Sequence, residues 1–107
     1  MRRAAKIDAN HNDVVKALRS IGATVHSLAR EGGGCPDLLV GYRGTTLLME
    51  VKDGSRPPSE RRLNPDQEKW IEAWRGGAVW LITSVQEAID AATLTAGIKI
   101  EVKTEEA

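Results

Sequence analysis

The apolar positions of the chain switch between two periods. From Asn10 to Ile21, Val14, Val15, Leu18 and Ile21 recur at helical spacing, with Asn10 placed to cap the helix and Gly22 to end it. Ala23 to Leu28 reads as a short strand, and Ala29 to Pro36 as a loop with glycines at 32, 33 and 34. Two β-type runs follow, 37–42 and 45–52, joined by Arg43-Gly44 as a hairpin. Leu38, Val40, Leu47, Met49 and Val51 fall on one face, Leu39 and Leu48 on the other, so helices are expected to cover both faces. Asp53 to Leu63 is a polar loop containing Pro57-Pro58. Asn64, Pro65 and Gln67 then supply a cap, a first helical residue and the third position of a capping box. That helix is expected to reach Arg75 and stop at Gly76. Ala78 to Thr83 reads as a strand, and Ser84 with Glu87 as a second capping box, opening a helix to about Leu94. Ile98 to Lys103 reads as an edge strand or an ordered tail. The expected order is α-β-β-β-α-β-α, a mixed α/β sandwich around at least four strands.

A length of 107 residues suits one domain, with a core at about 8–94 and a C-terminal strand or tail at 95–107. With 41% hydrophobic and 28% charged residues, the chain reads as an ordinary soluble domain. It has three Trp, one Tyr and no Phe, so aliphatic side chains must fill the core. The single cysteine, Cys35, rules out an internal disulfide. With no apolar run after the basic start, this points to the cytoplasm, and no segment is long enough to cross a bilayer. Net charge is zero, but it is unevenly spread. The first 75 residues carry 13 Lys and Arg against 10 Asp and Glu, and the last 32 carry 2 against 5. An anionic ligand for the first part is one reading; an uneven surface without consequence is the other.

The hairpin places the chemistry. A two-residue turn at 43–44 pairs residues whose numbers total 87, so Tyr42 faces Thr45 and Asp37 faces Glu50 on one side of the sheet. Lys52, two residues on, shares that side. Two opposed carboxylates repel unless a cation joins them. Lys52 does this in part, and a divalent ion bound by carboxylate and carbonyl oxygens does it better. No His/Cys cluster suggests zinc. The glycines and Pro36 let the backbone bend beside such an ion, so that a polymer can approach it.

Gly34, Cys35, Pro36 and Asp37, then twelve residues, then Glu50, Val51 and Lys52, resemble the PD-(D/E)xK nuclease motif. The order of the flanking elements is most similar to the stand-alone VRR-NUC (virus-type replication-repair nuclease) family, related to Holliday-junction resolvases. The likeness covers roughly residues 8–93, including the Asn10–Val15 helix start and the Pro65-Asp66-Gln67 helix start. It implies a restriction-endonuclease-like core. It also implies a metal-dependent DNA endonuclease that hydrolyses phosphodiester bonds, with branched DNA or Holliday junctions as substrate in phage replication, recombination or repair inside a bacterial host. Carried over, Asp37, Glu50 and the Val51 carbonyl would hold Mg2+, with Mn2+ as substitute. Lys52 would orient the attacking water and offset phosphate charge. Asp13 stands where the family has an acid on the first helix, usually Glu, and would meet the metal through water or bind a second ion. Gln67 stands at the family's helix-start glutamine and would join the catalytic site, touching the surroundings of Lys52 or a phosphate. A homodimer acting on two strands is implied; no nucleotide cofactor is expected.

Each assignment has a plainer alternative. Asp13 can serve the helix N-terminus and Gln67 the capping box. Lys52 can simply neutralise the two acids. Arg56, Arg61 and Arg62 in the loop after Lys52, with Arg30, are either solvated or positioned for DNA phosphates. Trp70 and Trp74 are expected to pack rather than to stack on bases, and Cys35, beside acids, to be a poor nucleophile. A non-catalytic nucleic-acid-binding module or a protein-interaction subunit are the alternative functions.

Overall fold

The computed structural model describes residues 8–97. Helix α1 spans His11–Ser20, followed by strands β1 (Thr24–Ser27), β2 (Leu38–Tyr42) and β3 (Thr45–Val51). A single 3-10 turn at Pro58–Glu60 precedes α2 (Pro65–Ala73), β4 (Val79–Ile82) and α3 (Val85–Gly97). The expected order of helices and strands is met; the reading of Ile98 to Lys103 lies outside the described residues. The sheet runs β1-β2-β3-β4. β1 and β3 flank β2 antiparallel, while β4 joins β3 in parallel. The parallel pair needs a crossover, which residues 52–78 with α2 provide.

Arg43 (φ 48) and Gly44 (φ 83) both lie in the left-handed region, as a tight type I′ hairpin turn demands. That turn locks the register: Tyr42 pairs with Thr45 and Leu38 with Met49, as the numbering rule requires. One side of the sheet is the core. Val14 and Leu18 of α1 and Ala88, Ala91 and Ala92 of α3 pack on Leu38, Val40, Leu47, Met49, Val51 and Ile82. The alanines let α3 lie close across β2, β3 and β4.

The expectation that helices cover both faces is corrected. Among the described residues the opposite face has no such layer: Leu39 is 38% exposed, and α2 contributes no buried residue. Leu48 is covered, in a shallow depression shared with Leu39, Trp74 and Ala78. The reason is local. α2 ends at Ala73 rather than Arg75, because Trp74 turns extended (φ −69, ψ 130) and its indole N–H donates to the Gly77 carbonyl at 2.8 Å. Trp74 stacks on Trp70 at 5.0 Å, so the pair packs on itself rather than across the sheet. α3 runs three residues beyond Leu94; the Ser84 hydroxyl accepts from Glu87 N, while the Glu87 carboxylate accepts from Thr83 N and Oγ1. No helix among the described residues is long and apolar enough to cross a membrane.

Candidate functional site

The hairpin register delivers Asp37 and Glu50 to facing positions one step past the Leu38–Met49 pair. Asp37 is fixed from both sides. Its carbonyl accepts from Leu28 N (2.7 Å) at the end of β1, and its Oδ2 accepts from Val51 N (2.8 Å) on β3. Glu50 is only 3% exposed. Burial pushes its carboxyl up to about 8; the Asp37 charge adds to this, Lys52 opposes it, and a hydrogen bond with Asp37 and the charge of Asp8 raise it further. Glu50 is therefore held in its neutral form at neutral pH, which relieves the repulsion between the two facing groups.

Lys52 and Glu50 are joined by Gln67. The Lys52 Nζ donates to Gln67 Oε1 (3.0 Å), Gln67 Nε2 donates to Glu50 Oε2 (2.8 Å), and Nζ stands 3.8 Å from that carboxylate. Gln67 also completes the capping box of α2: Oε1 accepts from Asn64 N and its own N–H donates to Asn64 Oδ1, both at 2.9 Å. One side chain thus caps a helix and ties that helix to both members of the Glu-x-Lys pair. Capping and site contact, weighed as alternatives for Gln67, occur together.

These groups line a cavity of about 400 Å³ with Asp8, Val51, Asp66 and the glycines at 32–34. Gly34 has φ 88, and a Cβ there would fall on the Asp66 carbonyl at the start of α2. Close approach of loop and helix, rather than only loop bending, is what requires this glycine.

The structure does not bring Asp13 to the cavity. Asp13 is exposed in the first turn of α1 and does not line the cavity; Asp8, before the helix, does. The stripe Val14, Leu18 and Ile21 already turns Asp13 outward, a signal present in the sequence. Nothing local marks Asp8. Asn10 is a second correction: it occupies the cap position but makes no side-chain cap bond. Its Nδ2 instead donates to the carbonyls of Lys52 (3.1 Å) and Thr83 (3.3 Å).

The arginines stand outside the cavity lining. Arg56 is paired with Glu60, Nε to Oε1 at 2.8 Å, and Arg30 and Arg62 are exposed. Arg61 is half-buried with its Nε unpartnered. Cys35 lines the cavity, and its thiol is pushed up by burial first, then by Glu31, Glu50 and Asp37, which leaves it a weak nucleophile.

Among the described residues no group of three or more His, Cys, Asp or Glu side chains forms a cage. The oxygen chemistry of the lining residues Asp8, Asp37 and Glu50 suits a hard cation that keeps several waters. Compared with family models, curated proteins and solved structures, the chain finds no match in any of the three.

Proposed function

We propose that the chain is a magnesium-dependent DNA endonuclease, with manganese as substitute, selective for branched DNA and built on a restriction-endonuclease-like core of the VRR-NUC kind. The observation that carries the reading is buried Glu50 facing half-buried Asp37, with Lys52 held against Glu50 through Gln67. A buried carboxyl set between a second carboxyl and a lysine in a glycine-walled cavity is a costly arrangement for a merely structural hairpin.

Asp37, Glu50 and the Val51 carbonyl would hold the ion, with Asp8 facing them. When bound, the ion supplies Lewis acidity and a water of lowered pKa. The chain's own groups do the rest. Glu50 would give up its proton to hold such an ion. Lys52, steered by Gln67 Oε1, presents positive charge where the phosphate becomes more anionic. Water adds to phosphorus, the bond to the 3′ oxygen breaks, and a 5′-phosphate and a 3′-hydroxyl result. A homodimer would present two such sites to two strands.

The test is cleavage of labelled single-stranded, duplex, flap and four-way-junction DNA with Mg2+ or Mn2+. Asp37→Asn and Lys52→Ala are each expected to lower kcat by about 100-fold or more. Variants that cut as well as the parent would overturn the site. Salt-sensitive binding without cleavage, undiminished by chelator, would favour a non-catalytic nucleic-acid-binding module.

A further inference from the structure

Strands β3 and β4 are joined at their ends by the Lys52 N–H, which donates to the Ile82 carbonyl at 2.8 Å, and just beyond by the Gly54 N–H, which donates to the Thr83 carbonyl at 3.2 Å. The carbonyls of Lys52 and Thr83, one on each side of this junction, both accept from the Asn10 amide. Because both partners are acceptors, the nitrogen must face them. The Asn10 Oδ1 is left buried and unpartnered. A residue that only starts a helix would turn its oxygen toward the helix N–H groups; this one forgoes that bond. Its neighbour His11 is buried beside Val14 and Leu18 on the core stripe of α1, so the amide is mounted on a fixed element.

We propose that Asn10 is a positioning residue for the site. This rests on the nuclease reading above. By tying α1 to both strand ends it fixes the peptide from which the Lys52 side chain leaves, and by anchoring the start of α1 it sets Asp8, two residues earlier, against the cavity. The same small side chain therefore places the cation on one wall and an acid on the other. Only a side chain with a short amide donor fits. Aspartate offers acceptors to two acceptors, and leucine offers nothing.

Asn10→Leu keeps the size and removes the donor, Asn10→Asp reverses the polarity, and Asn12→Leu, on the exposed side of α1, is the control. Three quantities decide: kcat and KM for junction cleavage, calorimetric Mn2+ affinity at fixed pH, and the thermal midpoint. Both Asn10 variants are expected to lose about tenfold or more in kcat with KM for DNA within about twofold, and about tenfold in Mn2+ affinity. Asn12→Leu is expected to match the parent. If Asn10→Leu does not fold, Asn10→Ser, which retains a donor, replaces it and should fall between parent and Asn10→Asp. Folded variants with parental kcat and Mn2+ affinity overturn the proposal and leave the nuclease reading standing. A parent that binds Mn2+ but cuts none of the DNAs removes the nuclease reading, and the Mn2+ affinities of the variants still decide the role of Asn10.

Discussion

Glu50 is where burial and charge meet most sharply. Its folded carboxyl titrates at about 8 instead of the ordinary 4.5. A raised value means that the folded state holds the proton more tightly than the unfolded chain. The stabilisation is complete below the unfolded value and is lost as pH rises through the folded one. In chelator, the thermal midpoint of the parent should therefore fall between pH 5 and pH 8 and then level off. Glu50→Gln, which keeps an uncharged side chain of the same shape, should flatten that window. A parent midpoint that is level from pH 5 to 8 would show that the fold does not hold Glu50 protonated. Mn2+ affinity should move the opposite way, rising with pH across the same range, since the ion displaces the proton.

At the scale of elements, the meeting of the glycine loop with the start of α2 shapes the cavity. Gly33 and Gly34 both sit in the left-handed region (φ 65 and 88), but only Gly34 faces backbone; Gly33 faces open space. Alanine at 33 should cost about 1 kcal/mol of stability, the ordinary penalty of that conformation. Alanine at 34 should cost about 2 kcal/mol or more, because the Asp66 carbonyl must also move, and it should disturb the Gln67 bridge to Lys52 and Glu50. Urea unfolding of the two variants checks this; equal losses would mean that the loop does not press on the helix. The glycine run was visible in the sequence, whereas which glycine meets α2 was not, since that contact spans about 30 residues of chain.

At the scale of the whole fold, the helices of the described residues pack their buried side chains on one side of the sheet. Leu38 is fully buried and Leu39 is 38% exposed, though they are neighbours on β2. Leu38→Ala should cost about 2–5 kcal/mol and Leu39→Ala under about 1 kcal/mol, read from the denaturant midpoints. Comparable losses would show that the outer face is covered in solution.

What the sequence determined by itself was everything set by short-range geometry. Arg43-Gly44 allows one tight turn, the turn allows one register, and the register brings Asp37, Glu50 and Lys52 to one face. Asn64, Pro65 and Gln67 likewise announce α2, because capping is a contest among a few adjacent backbone groups. Tertiary structure alone decided that Gln67 also reaches Lys52 and Glu50, that Asp8 rather than Asp13 lines the cavity with them, and that Asn10 ties α1 to the ends of β3 and β4. Those outcomes depend on how α1 and α2 approach the sheet. That approach is set by side chains packing across distant parts of the chain, which periodicity constrains in face but not in position.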